Sequence, residues 1–353
     1  MRGFFTEMFT IKGLMALSVV ISSYALQAVE LKDSRMADSV LISTEQQLQI
    51  RQMKLTAAMV WHGSSPWIQA VTAGANKEFA ELGIKVLAVT DAQFDPARQV
   101  ADLENVTVLK PDLILSLVVD PTSAKASYSK VVQQGAKLVL LSNPIPGFVL
   151  HKDYVGIVTD DMFGMGKQAA VELSAHFNQP ARIGMIFHDA DYFITNSRDK
   201  AFRLQLAQYP QLQLVAEKGF VREQETSQVA AALILQHPDL DAIYVSWDAA
   251  AEGVIEALRL AGRKDIKVIT HDLGVNNLLD MAMKGNMLAT ISDQPFVIGS
   301  TMARLAALSK LGQQAAPYTL VPFMTVTADN IAPAWQQSFR SEVPALLQQV
   351  LKP

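Results

Sequence analysis

What constrains this chain most is a rhythm. From residue 55 onward, short near-continuous apolar runs alternate with longer amphipathic stretches, and the alternation restarts near the middle. Runs at 55–61, 84–90, 113–119 and 137–142 read as buried strands. Between them lie helical stretches from Ile68 to the stop at Gly83, over 98–109, and up to Gly135. Apolar strands separated by helices imply a parallel sheet covered on both faces. After another run at 154–158, strands are expected at 182–188, 213–218, 242–247, 267–271 and 287–292. Helices are expected near 198–208, 224–236, 249–261 and 275–284. The fold class is therefore α/β, with two doubly wound parallel-sheet lobes in tandem. A length of 353 residues agrees, since one core rarely serves so many and two lobes of ~150 suit them.

Composition removes several function classes. The chain has no cysteine, so it contains no disulfide, thiolate metal site, cysteine nucleophile or lipidated cysteine. A net charge of -4 without a basic stripe argues against nucleic acid as a partner. There is no G-x-S-x-G elbow, no G-x-x-x-x-G-K-[ST] loop and no H-E-x-x-H helix. Gly164-Met165-Gly166 lacks the third glycine of a dinucleotide fingerprint, and His62, His188 and His271 show no metal-ligand spacing. The expectation is a protein that is not an enzyme and needs no metal or cofactor. Arg2 and Lys12 precede a short apolar core at 13–21, and small residues follow at Ala25 and Ala28. Residues 1–28 thus read as a cleaved signal peptide that exports the protein to the periplasm. Residues 29–53 read as a helix or mobile arm, and no later segment has transmembrane length. Residues 333–353 read as one Pro-started amphipathic helix.

In doubly wound sheets, ligands sit beyond the carboxyl ends of the strands. Ser65, Pro66 and Trp67 follow the first strand: Ser65 suits a helix cap, while the Trp67 indole suits either a sugar's apolar face or burial against a loop. Ser142 and Asn143 follow the fourth. Asn196 and Arg198 follow the loop at 189–195, where each suits a ligand contact or an ordinary surface position. Trp247 tips the next strand beside Asp248, a natural helix cap. Asp272 and Asp293 stand at two further tips, where a carboxylate accepts paired hydroxyl bonds at ~1.5–3 kcal/mol each.

Taken in order, several stretches resemble the type I periplasmic binding proteins of the ribose and galactose group. They are Ser65-Pro66-Trp67-Ile68, Asp95 through Val100, Val158 through Gly164, Arg198 through Phe202, His237-Pro238-Asp239, and Ala289 through Pro295. The resemblance implies an N-terminal lobe of 54–159 and 294–323, a C-terminal lobe of 160–293 and 324–353, and a three-strand hinge. It implies ligand contacts at Ser65, Trp67, Ser142, Asn143, Asn196, Trp247, Asp272 and Asp293. Of these, only Asp272 keeps the type found in ribose binders, which points away from ribose toward a larger pyranose, cyclic polyol or glycoside. The implied function is capture of a sugar or polyol by a monomer that hands it to an ABC transporter permease. The alternative is a sensing co-receptor for a membrane histidine kinase or chemoreceptor. A repressor of related fold would need a basic helix-turn-helix, which residues 1–53 lack.

Overall fold

The computed structural model describes residues 31 and 33–352; the expected signal peptide lies outside them. In chain order the elements are β1 (Ser34–Met36), α1 (Thr44–Met53), β2 (Thr56–Trp61), α2 (Pro66–Glu81), β3 (Lys85–Asp91), α3 (Pro96–Leu109), β4 (Leu113–Ser116), α4 (Pro121–Gln133), β5 (Lys137–Leu141) and β6 (Ile157–Asp160). There follow α5 (Met162–His176), β7 (Ala181–His188), α6 (Phe193–Leu206), β8 (Leu212–Phe220), α7 (Thr226–Gln236), β9 (Ala242–Val245), α8 (Asp248–Leu260), β10 (Lys267–His271), α9 (Val275–Ala282) and β11 (Met287–Ser292). The chain closes with α10 (Pro295–Lys310), β12 (Tyr318–Val321), β13 (Met324–Val326), α11 (Ile331–Phe339) and α12 (Ala345–Leu351).

These strands form two sheets. The first runs β1-β12-β6-β5-β4-β2-β3 and is parallel throughout; the second runs β13-β11-β10-β9-β7-β8, with only β13 antiparallel. Both contain the doubly wound order 2-1-3-4-5, as β3-β2-β4-β5-β6 and as β8-β7-β9-β10-β11. In such an order a crevice opens at the carboxyl ends of the first and third strands, where the connections diverge. Here those pairs are β2/β4 and β7/β9. The chain passes between the sheets three times: after Asp160, after Asp293, and between Val321 and Met324.

Local sequence explains the helix starts. Ser65, Asp95 and Asp120 each cap a helix through a side-chain oxygen and are each followed by proline, whose fixed φ suits the first turn. Helix α3 accordingly begins at Pro96 rather than 98. The central strands are buried on both faces, as their unbroken apolar runs require. Between α2 and α10 the backbones meet: a Cβ on Gly74 would lie 2.0 Å from the Phe296 carbonyl oxygen, and one on Gly299 1.8 Å from that of Val71.

Three regions differ from the expectation. The arm is a docked strand and helix: β1 pairs with β12, Ile50 of α1 is fully buried, and Arg51 and Gln47 donate to the Glu81 carbonyl. Helix α6 begins five residues before the expected 198, so the loop at 189–195 is shorter than the sequence implied. The single helix expected at 333–353 is two helices, separated by Arg340 in the left-handed conformation and by Pro344.

Candidate functional site

The tips of the two sheets enclose a cavity of about 290 Å³, at the small end of the roughly 300–1,000 Å³ usual for ligand pockets. The first lobe contributes the turn after β2, with His62, Ser64, Ser65 and Trp67, together with Phe94 and Leu117. The second contributes His188 at the end of β7, Tyr192, Ile194, Thr195 and Arg198 around the start of α6, then Glu223, Trp247, Asp248, Glu252 and Asp272. Parallel strands deliver these residues to one place because all their carboxyl ends point the same way.

Arg198 lies at the base, only 2% exposed. Its Nη1 donates to Asp272 Oδ2 at 3.0 Å and its Nη2 donates to Asp160, while Asp293 Oδ2 stands 3.8 Å from Nη2. Asp160 ends β6, Asp272 follows β10 and Asp293 follows β11, so one guanidinium ties three strand tips together. Two of those tips are places where the chain changes sheets. Burial works against the charge on Arg198, and the three carboxylates outweigh it, so it is held as a cation more firmly than usual. Burial also pushes Asp272 and Asp293 above the ordinary carboxylate range; neighbouring carboxylates push both further up, and Arg198 only partly offsets this.

Asp272 adopts a left-handed backbone (φ 66°), which turns its carboxylate away from the strand and toward the cavity. Thr290 Oγ1 donates to its carbonyl oxygen at 2.6 Å and its amide donates to Ile291, so the turn is fixed from both sides. Trp67 reaches across the lobes: Nε1 donates to Asp293 Oδ1 at 2.9 Å and Oδ2 at 3.1 Å. Trp247 is held by Nε1 donating to Glu223 Oε1 at 2.6 Å, with His188 edge-on to its ring. His62 and His188 are lowered to about 3 and about 4 by burial, so both are neutral imidazoles near neutral pH. Behind the wall, Asp199 accepts from Tyr244, Ser246 and the His188 amide, and burial pushes it up to about 6.

The residues expected from the strand tips separate into groups. Ser65, Trp67, Trp247 and Asp272 line the cavity, and Ser65 also caps α2 by accepting from the Ile68 amide. Asp293 contacts the wall through Trp67 and Arg198. Ser142 and Asn143 lie behind it. Ser142 Oγ meets Thr159 Oγ1, which donates to Asp160, so Ser142 reaches the site only through two others. Asn143 donates to the Val118 carbonyl and accepts from the Ile194 amide, a bond that joins the lobes.

Asn196 does not reach the cavity. Because α6 starts at Phe193, positions 194, 195 and 198 face inward while 196 faces out, where its Nδ2 donates to the Ala190 carbonyl. Arg198, which the sequence left as a surface alternative, takes the central place. Phe94, Tyr192, Glu223 and Glu252 went unnoticed, since they stand in loops or one helical turn beyond a tip. Asp160 ends a strand just as Asp272 nearly does, and that signal was available.

Among the described residues, no group of three or more His, Asp or Glu side chains is arranged to hold a metal ion, and no helix is long and apolar enough to cross a membrane. The cavity presents indole faces, buried carboxylates and neutral imidazoles.

Comparison with known proteins agrees with this geometry. The chain is 25% identical over 236 residues to a ribose import binding protein of Haemophilus influenzae, covering 67% of this chain and 78% of that one. A solute-binding protein from Agrobacterium vitis, solved with alpha-D-tagatopyranose, shares the fold with a TM-score of 0.75 at 18% identity, over 81% of this chain and 99% of that one. A 5-methylthioribose transporter solute-binding protein from Thermotoga lettingae gives a TM-score of 0.71 at 21% identity, over 84% and 98%. The periplasmic binding protein domain model matches residues 57–314. With the two sheets, their paired crevices and that match together, the chain belongs to the periplasmic binding protein domain family, whose members bind solutes rather than transform them.

Proposed function

We propose that the protein captures a sugar or polyol in the periplasm by closing two lobes on it and delivers it to an ABC transporter permease. The lobes are residues 54–159 with 294–323, and 160–293 with 324–353. The observation that carries this reading is the cavity wall itself, which draws Trp67 from one lobe and Trp247 and Asp272 from the other. An indole face suits the C–H face of a sugar ring, and a fixed carboxylate suits adjacent hydroxyls. A ligand that touches both walls gains contacts only when the lobes are together, so it shifts the population toward the closed form. Reversing a 1:99 balance takes ~5.5 kcal/mol, which a few charge-assisted bonds and stacking supply. Relatives named for ribose and D-apiose import support a monosaccharide as the cargo.

The test is a thermal-shift screen of sugars and polyols, followed by the Asp272→Ala variant. Arg198 keeps Asp160 and Asp293 nearby when Asp272 is removed, so its charge stays compensated, and the thermal transition of the variant reports its folding. Its affinity for the hit falls at least about tenfold, the loss expected for one charge-assisted bond. Unchanged affinity in a folded Asp272→Ala protein sinks the site.

A further inference from the structure

The cavity wall is unbalanced in charge. Four carboxylates line it, those of Glu223, Asp248, Glu252 and Asp272, against one cation, Arg198. Arg198 is already engaged by Asp160 and Asp272. Glu223, Asp248 and Glu252 have no Lys, Arg or His within 4.0 Å among the described residues. The neighbouring histidines supply no charge, because burial keeps His62 and His188 neutral.

The three acids come together by design of the elements. Asp248 opens α8, and Glu252 lies four residues on, on the same helix face. Like charges at that spacing repel, and Glu223 approaches from the turn after β8 to add a third. Glu223 also accepts from Trp247 Nε1, which fixes this acid against the indole. Burial, then Asp272, Glu223 and Glu252, push Asp248 up to about 8. Burial raises Glu223 as well. Carboxylates enclosed without a partner are costly unless protonated or matched by a cation.

His62 lines the same cavity and, kept neutral by burial, offers a ring nitrogen that can donate to or accept from a hydroxyl.

We propose that the ligand is a polyhydroxylated compound bearing a protonated amine, its ammonium held by Glu223, Asp248 and Glu252 beside the Trp247 ring and its hydroxyls met by Asp272 and His62. Aromatic rings with adjacent carboxylates are a favourable setting for an organic cation. A neutral sugar could donate hydroxyl bonds to these acids as to Asp272, but it would leave their charge uncompensated. The inference deepens the capture reading and rests on it.

Isothermal titration calorimetry of the whole protein at pH 7 tests it with matched pairs: 1-amino-1-deoxy-D-sorbitol against D-sorbitol, D-glucosamine against D-glucose, and D-galactosamine against D-galactose. At least one amine binds about tenfold or more tightly than its neutral parent, as a desolvated charge pair provides. In the Glu223→Gln/Asp248→Asn variant that ratio collapses toward one. Should the double variant fail to fold, judged by its thermal unfolding, Glu223→Gln alone lowers the ratio. Neutral parents binding as well as the amines, with Asp272→Ala weakening them, overturns the amine and leaves sugar capture standing. A preference for amines that survives both acid substitutions places the cation elsewhere and overturns the proposal. No binding by any of the six overturns it and weakens the capture reading as well.

Discussion

One buried guanidinium beside three carboxylates leaves negative charge in excess, and the acidic wall around Asp248 adds more. The protein meets this by holding protons, which gives stability a definite pH dependence. Asp248 has a folded value of about 8, against an ordinary value of 3.8 in the unfolded chain. Between those values the folded state binds a proton that the unfolded state has released, so stability falls as pH rises from about 4 to about 8. Asp248→Asn removes that penalty. In the ligand-free protein, the melting temperature of Asp248→Asn minus that of the parent grows steadily between pH 5 and pH 8; a constant difference contradicts the assignment. At this scale the strand-tip rule pointed to Trp67, Trp247 and Asp272, which line the cavity, and to Ser142 and Asn143, which lie behind it. It failed for Asn196 because one missed helix start rotates every later side chain, and it undervalued Arg198 because a charged residue on a helix reads as surface until its partners are known.

Elements were legible in proportion to their burial. The central strands announced themselves as apolar runs, whereas β1, β12 and β13 are three or four residues long, partly exposed, and carry too little pattern to distinguish from loop. Helix contacts were invisible for a different reason: two glycines far apart in sequence say nothing of meeting. Yet α2 and α10 touch backbone to backbone at Gly74 and Gly299, and α10 starts two residues after Asp293 while α2 carries Trp67. Gly299→Ala cannot be absorbed by a side-chain rotation, since the added methyl meets a carbonyl. It destabilises the protein by roughly 1–3 kcal/mol, as overpacking generally does. Denaturant unfolding reads the loss, and a variant as stable as the parent would mean that the two helices do not meet this closely.

For the whole molecule, three passages between sheets and a cavity walled by both lobes favour rigid bodies that rotate about the connecting segments. Small-angle scattering with a saturating ligand from the screen should show a smaller radius of gyration than the protein alone. An identical envelope in both conditions contradicts closure. Two α/β halves follow directly from the periodicity, because the strand–helix rhythm occurs twice. How the first lobe is completed at its edge did not follow, because it depends on pairing between the two ends of the chain.

That pairing has a consequence for biogenesis. Ser34 lies opposite Tyr318 and Met36 opposite Leu320, so the outermost strand position of the first sheet stays empty until nearly the whole polypeptide has been made. Contacts that span so much sequence are slow to form, and the early segment has no local partner to settle on. The chain is thereby kept from completing its tertiary structure from the front end.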